Sequence, residues 1–359
     1  MISETYLPFG GGAELATHLI LERLVALGHE VLVLTGVKEP EALPGARFLY
    51  HPLLKPLPKP LLWVSIAALA LSRFFRELVR WADVVYIPRR AYPLACPAKL
   101  ANPRARVVVH LHDYQPLAYS AAVLAEGVKQ PPKGPAREAY IEYVTGASPL
   151  KAVVAGLLDL VNRALAEALR CADLVVTVSR RHHQIITEGI KWLRGKTIVS
   201  RNPPPKVPKI EKEVREDVAE LLYVGGEHPL KGYQIAIEAV KQLALEGYKV
   251  VLHITGELRW SKPAARPPIV IHGRVSKEEL YRLHRRARAL IFPSIWEEPS
   301  PYAVAESVAL GTAVIAAKVG GVPEMIGIRG SELAPLFKAV KSEELVKALK
   351  IVLRDLVMP

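Results

Sequence analysis

Two carboxylates in one short stretch are placed to bind hydroxyl groups. Glu298 and Glu306 lie in IFPSIWEEPSPYAVAESVALGTAVIAAKVGGVPEM, which runs from Ile291 to Met325, with seven residues between them. Glu306 is the only charge in the run AVAESVAL. An ionised carboxylate among Val and Ala costs free energy unless a polar group meets it, and vicinal hydroxyl groups would do so.

The elements around these carboxylates follow a strand, turn, helix, strand and Gly-Gly turn, which is the pattern of a βαβ unit. Ser300 suits the N-cap, Pro301 the first helical position and Gly311 the left-handed stop. We therefore predict a helix from about Pro301 to Leu310. Glu298 precedes this cap, where its carboxylate can face a ligand held by the free N–H groups of the first turn.

This segment resembles the retaining glycosyltransferases of family 4, whose Glu-x7-Glu motif is matched by Glu298 and Glu306. The resemblance continues through GTAVIAA and through GGVPE at Gly320 to Glu324. It implies that Glu298 lies near the transferred sugar, that Glu306 binds the nucleotide ribose and that the turn of Ser300, Pro301 and Tyr302 binds the donor. The alternative is a solvated turn residue and a charge on a helix surface.

The resemblance also implies the fold, which is an α/β chain of the GT-B class. Two doubly wound Rossmann-like domains would face each other across a cleft. Residues 1–203 would form the acceptor-side domain and residues 204–359 the nucleotide-sugar donor domain. A length of 359 residues, half of them apolar, independently favours two domains with packed cores.

Composition limits the class of protein. Cys96 and Cys171 are far apart in a chain without a CxxC motif, which argues against a disulfide scaffold or a structural zinc. We expect no secretory signal peptide and a reducing, cytoplasmic location, extending to the inner surface of the membrane. The net charge of +13 is spread over both halves, which suits anionic small substrates or lipid phosphates better than nucleic acid.

An uncharged run, Pro60 to Ser72, is shorter than the ~20 residues that span a bilayer. The residues that follow it allow a basic amphipathic helix in peripheral contact with a membrane. A core helix with solvated arginines is the other interpretation. The side chains concerned are Trp63, Arg73, Phe74, Phe75, Arg76, Arg80 and Trp81.

The first half opens with a loop and a helix predicted from about Ala13 to Leu27, and only Met1 and Ile2 remain of a family-like first strand. Glycines before a helix allow a ligand close to the backbone, although a flexible turn explains them equally well. Matched to the GGAE segment of the family, Gly11 and Gly12 become contacts for the donor phosphate or the acceptor.

A pair of histidines ends the strand RVVVHLHD. Alternation along a strand places His110 and His112 on one face, with His112 at the carboxyl end where open α/β sheets bind ligands. Because no third ligand follows at a useful spacing, we expect no metal here. The resemblance implies that His112 lies near the transferred sugar, while Asp113 either orients it or caps the next turn.

Two proline-rich stretches follow. In residues 114–150 we expect Pro131, Pro132 and Pro135 to break regular structure, leaving either an acceptor-recognition insertion or a surface loop. The run from Asn202 to Pro208 reads as an interdomain linker.

In the second half, ELLYVGGEHPLKGY places Lys231 at a strand-to-helix turn, where it can neutralise a phosphate. The family has Lys-Gly here and usually an arginine where this chain has Gly226. His228, Arg259 and Arg274 are the candidates to replace that arginine. By resemblance, the turn of Gly273, Arg274 and Val275 lines the nucleotide base.

The sequence therefore predicts a sugar transferase with His112, Lys231 and Glu298 as its catalytic groups. Its substrate would be a nucleoside diphosphate (UDP-, GDP- or ADP-) sugar, its acceptor a sugar, polysaccharide or lipid-linked saccharide, and its chemistry independent of cofactors and metals, since Asp-x-Asp is absent. A non-catalytic sugar-nucleotide binding protein and a GT-B epimerase are the alternatives. Nucleic acid is not expected as a partner.

Overall fold

The computed structural model describes residues 1–259, 261–327, 336–337 and 342–353. The chain divides into two units. The first comprises Met1–Ala122, Pro131–Tyr143 and Ser148–Pro203, and the second comprises Val123–Gln130, Val144–Ala147 and Pro204–Pro359. The two short segments were expected in the first domain but belong to the second unit. One reason is local, because the N–H of Ala125 donates to the carbonyl of Ile295 at 2.9 Å.

The first unit contains two parallel sheets with helices. The three-stranded sheet has the order β1-β2-β3, and the four-stranded sheet has the order β4-β5-β6-β7. The strands are β1 (Ile2–Ser3), β2 (Val31–Thr35), β3 (Ala46–Tyr50), β4 (Val84–Pro88), β5 (Arg106–His110), β6 (Leu174–Thr177) and β7 (Thr197–Val199). The helices are α1 (Gly12–Ala26), α2 (Lys59–Leu71), α3 (Arg73–Trp81), α4 (Ala95–Ala101), α5 (Pro135–Val144), α6 (Pro149–Ala166) and α7 (Arg180–Gly189).

The two sheets of the first unit are separate because β1 is too short to pair with strands on both of its sides. This strand has only two residues, which pair with Leu34 and Thr35 at the carboxyl end of β2. It contacts β4 without forming a ladder with it. A cavity of about 360 Å³ lies beside β1, with Met1, Leu32 and Val84 among its lining residues. The doubly wound arrangement predicted for this half is therefore present as two parallel sheets.

The second unit is built on one seven-stranded sheet with the order β10-β11-β9-β8-β12-β13-β14. The strands are β8 (Ala219–Val224), β9 (Val250–Thr255), β10 (Ala264–Arg266), β11 (Ile269–Gly273), β12 (Ala289–Phe292), β13 (Ala313–Ala317) and β14 (Leu336–Phe337). All neighbours are parallel except β10 and β11. The helices are α8 (Tyr233–Leu245), α9 (Lys277–Arg286), α10 (Tyr302–Ala309), α11 (Val322–Ile326) and α12 (Ser342–Val352).

The central strands of this sheet are mostly apolar, as is typical of parallel strands that helices cover on both faces. Strand β12 is buried at all four residues, and β8 at five of six. Their side chains join α8, α10 and α12 in one core.

Several elements differ from the sequence predictions. The apolar stretch before Arg73 does not continue into one long helix, because Ser72 ends α2 and caps α3 through a bond from the N–H of Phe75 to its Oγ at 3.1 Å. Pro135 was expected to break structure but begins α5, a position where proline has no N–H to leave unpaired. The cysteines also differ, since Cys96 and Cys171 form a disulfide between α4 and the turn after α6.

Candidate functional site

The carboxyl edge of the sheet in the second unit has a topological switch point. Strands β9 and β12 flank β8 on opposite sides, so the chain leaves this position in two directions. Ligands of open α/β sheets bind in the crevice that such a reversal creates. Lys231 follows β8 and Glu298 follows β12, which places both predicted residues at this crevice.

Backbone contacts hold the two loops together. The carbonyl of Leu230 accepts hydrogen bonds from the N–H of Ile295 at 2.9 Å and from the hydroxyl of Ser294 at 3.2 Å. Gly232 has φ +72°, and a Cβ at this position would overlap the carbonyl of Pro293. Only glycine meets both demands, so the Lys-Gly pair fixes the loop after β8 against the loop after β12.

Glu298 is buried yet well supplied with donors. Its Oε1 accepts from the indole N–H of Trp296 at 2.7 Å and from the hydroxyl of Ser294 at 3.2 Å. Burial raises the pKa of this carboxyl above its ordinary value, and the nearby Lys231 ammonium opposes that rise. Buried carboxylates with shifted pKa values in a crevice are typical of functional sites.

The Gly-Gly turn after β13 packs on the same loop. The N–H of Gly320 donates to Oε2 of Glu297 at 2.7 Å, and the N–H of Gly321 donates to the carbonyl of Glu298 at 2.8 Å. A Cβ on Gly320, which has φ +50°, would overlap that carbonyl. The GGVPE motif therefore supports the backbone of Glu298.

Glu306 lies on α10 and is half-buried. Burial raises the pKa of its carboxyl, with Lys277 opposing the rise. Within the residues that the structure describes, no hydrogen bond or ion pair is made by this carboxylate. It therefore has acceptor capacity for the hydroxyl groups of a ligand, and the ribose contact stays a prediction.

The start of α10 differs from the prediction. Pro301 is the N-cap and Tyr302 the first helical residue, so the helix begins one residue later than expected. The hydroxyl of Ser300 makes no cap and instead approaches the sulfur of Met325 at 4.0 Å. Proline in place of Ser at the cap removes a side-chain acceptor, and within the first turn of α10 the N–H of Val304 donates to the carbonyl of Pro301 at 3.1 Å. Gly311 has the predicted left-handed conformation, with φ +72°.

Positive charge is concentrated beside Lys231. Burial, together with the neighbouring Lys231 and Arg259, lowers the pKa of His228 to about 4. The backbone of Arg259 is held by Glu227, whose Oε2 accepts from its N–H at 2.6 Å. An anion bound between Lys231 and Arg259 would offset the repulsion between their positive charges, and a phosphate group carries the required charge.

In the first unit, the predicted glycine turn is closed by Glu14 of α1. Its Oε2 accepts from the N–H of Gly11 at 2.7 Å, and its Oε1 accepts from the hydroxyl of Thr5 at 2.7 Å. Arg89 forms an ion pair with the same carboxylate. The N–H of Gly11 is thus already used, while Gly12 begins α1.

His112 lies beyond the carboxyl end of β5 and is buried. Its ring lies 4.2 Å from the ring of His110, so the predicted common face is confirmed. Burial lowers its pKa well below the ordinary value, with His110 and Arg89 adding to the effect. Asp113 accepts from the N–H of Gln115 at 2.9 Å, which fits the capping interpretation for that residue.

No cluster of three or more His, Cys, Asp or Glu side chains that could hold a metal ion occurs in the described part of the chain. Nor does any helix there have the length and apolar character needed to cross a membrane.

Comparison with known proteins decides the family. The family model described as Glycosyltransferase Family 4 matches residues 10–198, and the one described as Glycosyl transferases group 1 matches residues 208–356. The chain belongs to glycosyltransferase family 4.

Curated relatives agree with this family. Glycogen synthase of Mycobacterium tuberculosis is 30% identical over 241 residues, which cover 64% of this chain and 56% of the relative. Lipopolysaccharide 1,2-N-acetylglucosaminetransferase of Salmonella typhimurium is 26% identical over 172 residues, covering 43% and 44%. The matched regions thus span about half the length of these relatives.

Solved structures of low sequence identity show the same GT-B fold with two Rossmann-like domains. Sucrose-phosphate synthase from Thermosynechococcus elongatus has a TM-score of 0.69 at 16% identity, with coverage of 96% of this chain and 85% of that one. HepE of Anabaena, in complex with UDP and glucose, has a TM-score of 0.62 at 17% identity, with 99% and 89% covered.

This family 4 chain departs from the expected pattern at Gly226, and the fold explains why. Gly226 has φ +60°, and a Cβ there would overlap the carbonyl of Glu257. An arginine cannot occupy this backbone. Of the candidates to replace it, His228 and Arg259 lie near Lys231. Arg274 is exposed and pairs with Glu257 at 3.7 Å, and Val275 beside it is half-buried.

One buried carboxyl group that is a candidate for function was missed in the sequence. Glu4 follows β1 and is 1% exposed, yet neither of its oxygens has a hydrogen-bond partner among the described residues. Burial raises its pKa, opposed by Arg89 and Arg90. An acidic residue directly after a buried strand, in the sequence ISET, was the signal that could have identified it.

Proposed function

We propose that this chain is a retaining glycosyltransferase that uses a nucleoside diphosphate sugar. The observation that carries the proposal is the meeting of Lys231 and the buried Glu298 at the switch point of the second unit. HepE, with a similar fold, has been crystallised with UDP and glucose, which supports a nucleotide-sugar donor. Family membership supports glycosyl transfer as the reaction class.

The diphosphate, the ribose and the sugar of the nucleotide-sugar donor would each contact a different set of residues. The diphosphate would lie between Lys231 and Arg259 near the start of α10, where opposite charge and the positive end of the helix dipole stabilise phosphate oxygens. Glu306 would accept from the ribose hydroxyls. Glu298 would accept from hydroxyls of the transferred sugar or stabilise positive charge that develops at its anomeric carbon.

In the reaction, the bond from the anomeric carbon to the phosphate oxygen breaks, and its electron pair leaves with the nucleoside diphosphate. An acceptor hydroxyl attacks the same face of the sugar, and its proton passes to the departing phosphate oxygen. Lys231 would stabilise the charge on the leaving group, and His112, neutral because burial lowers its pKa, would position the sugar by hydrogen bonding.

Relatives support two classes of acceptor. One is named a glycogen synthase and another a lipopolysaccharide 1,2-N-acetylglucosaminetransferase, and these names support a saccharide or a lipid-linked saccharide as the acceptor. We propose neither a metal nor a further cofactor, since the lysine, the helix terminus and the arginine supply the positive charge.

A thermal-shift panel of UDP-, GDP- and ADP-sugars, followed by transfer from radiolabelled donors, tests the proposal. A donor at 100 times its dissociation constant adds about 2.7 kcal/mol of stability. We expect Lys231→Ala to slow transfer by ~10²-fold or more. Lys318→Ala, on an exposed residue after β13, is the control and should keep the wild-type rate. Unchanged transfer in Lys231→Ala would contradict the assignment.

A non-catalytic sugar-nucleotide binding protein is the second candidate, and the glycine at 226 favours it because one expected phosphate contact is missing. The same panel separates the two functions. A binding protein would be stabilised by the donor and would release neither nucleoside diphosphate nor sugar product. A GT-B epimerase would be recognised by a changed sugar without an acceptor.

A further inference from the structure

Residues 123–130 lie between two segments of the first unit but belong to the second unit. From the sequence, this stretch is part of either an acceptor-recognition insertion or a surface loop. A surface loop does not fit, because Leu124 and Ala125 are 5% and 3% exposed. Ala125 shares the hydrophobic core with side chains of β8 and β12. The segment is therefore an interior part of the unit that carries the proposed donor site.

Residues 123–125, which we call the strap, run antiparallel to the loop after β12. The N–H of Ala125 donates to the carbonyl of Ile295 at 2.9 Å, and the carbonyl of Val123 accepts from the N–H of Glu297 at 2.7 Å. These two backbone bonds fix the register of the pairing, since a shift by one residue would break both of them. One edge of the loop that leads into the buried carboxylate is thus held by the strap.

Between these two bonds, Leu124 lies opposite Trp296. Residues at such a non-hydrogen-bonded position of an antiparallel pair have their side chains on the same face and close together. The indole of Trp296 donates from Nε1 to Oε1 of Glu298 at 2.7 Å. The buried Leu124 is therefore the cross-strand neighbour of the residue that holds this carboxylate.

A second short segment of the insertion, residues 144–147, also belongs to the second unit. The carbonyl of Thr145 accepts from Nη1 of Arg259 at 2.8 Å. Arg259 acts together with Lys231 on His228, and the proposed function assigns both cations to the diphosphate. A carbonyl oxygen orients a guanidinium without cancelling its charge. Both short segments therefore contact residues that the proposed function assigns to the donor or that hold such a residue.

We propose that the strap is a positioning element of the donor site, with Leu124 holding the indole of Trp296 so that its N–H aligns the carboxylate of Glu298. The inference rests on the proposed function, which gives Glu298 its role at the transferred sugar. In this role the strap acts through Trp296 and needs no contact with substrate. Misplacement of a reacting group by about 1 Å can slow a reaction by ~10²-fold, so a contact remote from the reacting atoms affects the rate.

Kinetics of Leu124→Ala, measured on the full chain with a donor that the thermal-shift panel identifies, test the proposal first. The variant removes the cross-strand neighbour of Trp296, and we expect kcat to fall about tenfold while KM for the donor stays within about twofold. In a Glu298→Gln background the same substitution should cause no further loss, because the strap acts through that carboxylate. Val128→Ala is the matched control, since Val128 packs against the same core but lies beyond the bridge, and it should keep the wild-type kcat.

The indole N–H resonance of Trp296, identified in the NMR spectrum by its loss in Trp296→Phe, gives a second readout that does not depend on activity. Burial raises the pKa of the Glu298 carboxyl, and the Lys231 ammonium and the indole N–H oppose the rise. The neighbouring Tyr223 hydroxyl, whose pKa burial raises well above 10, stays protonated while the carboxyl titrates. A loosened indole in Leu124→Ala stabilises the carboxylate less, so the midpoint of the indole titration should move to higher pH. The control variant should keep the wild-type midpoint.

Two results would overturn the proposal. One is a Leu124→Ala variant with the kcat and the midpoint of the Val128→Ala control, and the other is an equal loss of kcat with and without Glu298→Gln. If Leu124→Ala does not fold, Leu124→Val decides by the same measurements, because it trims the side chain and keeps one that suits an extended segment. A Glu298→Gln enzyme with the wild-type kcat would contradict the proposed function instead, and the indole midpoint of the Leu124 variant would still decide whether the strap positions Trp296.

Discussion

A side chain at position 226 would collide with the carbonyl of Glu257, because Gly226 has φ +60° and its backbone runs against the turn after β9. The same turn approaches from the other side, since a Cβ on Gly256 would lie 2.5 Å from the N–H nitrogen of Gly226. The absence of the expected arginine is thus coupled to close packing of two backbone turns. Positive charge reaches the surroundings of His228 from Lys231 and Arg259 instead.

Substitution at position 226 should therefore destabilise the second unit by more than backbone strain alone. Gly247→Ala is the matched control, because Gly247 has φ +90° and nothing within 4 Å of a Cβ. Left-handed backbone costs an L-residue about 1–2 kcal/mol, which both variants share. We expect the free energy of unfolding of Gly226→Ala to fall further, measured by denaturant titration. Equal losses would show that the clash is relieved by small shifts.

Substitution of the two glutamates of the Glu-x7-Glu motif should affect different steps, catalysis for Glu298 and nucleotide binding for Glu306. Glu298→Gln keeps an acceptor for Trp296 but loses the charge, so kcat should fall by about 10²-fold with little change in nucleoside diphosphate binding. Glu306→Gln should instead weaken nucleoside diphosphate binding, by about tenfold. Initial rates and calorimetric titration measure both. Glu297→Gln, which can still accept from Gly320, is the control, and the opposite pattern would exchange the two roles.

Glu4 should show a conflict between stability and function. Because neither oxygen has a partner among the described residues, Glu4→Gln removes a charge that is costly to bury and should raise Tm or leave it unchanged. If the carboxylate serves substrate, transfer falls at the same time. Glu14→Gln gives the contrast, since its loss of the ion pair with Arg89 should lower Tm. A lower Tm for Glu4→Gln would indicate a structural ion pair instead.

Much of the second unit could be predicted because its signals are local. Strand β12, the helix carrying Glu306 and the left-handed Gly311 follow from apolar runs and turn residues within a few positions. The helix start was misplaced by one residue because Ser and Pro both suit a cap, and the tertiary contact of Ser300 with Met325 decides between them.

The features that the sequence concealed depend on distant residues. The disulfide joins cysteines 75 positions apart, and only the fold brings α4 beside the turn after α6. The polar inner face of α6 looks like a solvated face until Asp159 meets the N–H of Tyr119. The sequence analysis also missed that Ser72 separates α2 from α3, although its cap could have been recognised.

Acid should destabilise the first unit partly through His182. This residue is fully buried, its Nε2 lies 3.1 Å from the carbonyl of Asp113, and desolvation lowers its pKa from 6.5 to about 4. Unfolded chains take up this proton below about pH 6.5, whereas the folded protein does so only near pH 4. Stability is therefore complete above pH 6.5 and falls as the pH drops toward 4, by about 2 kcal/mol at pH 5 for this one group.

The comparison that isolates this contribution is His182→Gln. Its Tm at neutral pH is expected to be lower, but its further decrease between pH 7.5 and pH 5 should be smaller than that of the wild type. Buried carboxylates such as Glu4 titrate in both proteins and cancel in the difference. Parallel decreases in Tm would show that the pKa of His182 is the same in the folded and unfolded states.

Reduction of the disulfide should lower stability without changing the donor site. The bond from Cys96 to Cys171 closes a loop of 75 residues, for which the chain-entropy relation gives about 4 kcal/mol. For a unit of this size we expect Tm to fall by roughly 8–16 °C in reductant. The double variant Cys96→Ala with Cys171→Ala should match the reduced protein and be insensitive to reductant. Both cysteines lie in the first unit, so the nucleoside diphosphate affinity of residues in the second unit should stay at the wild-type value. An unchanged Tm on reduction would show that the thiols are free in solution.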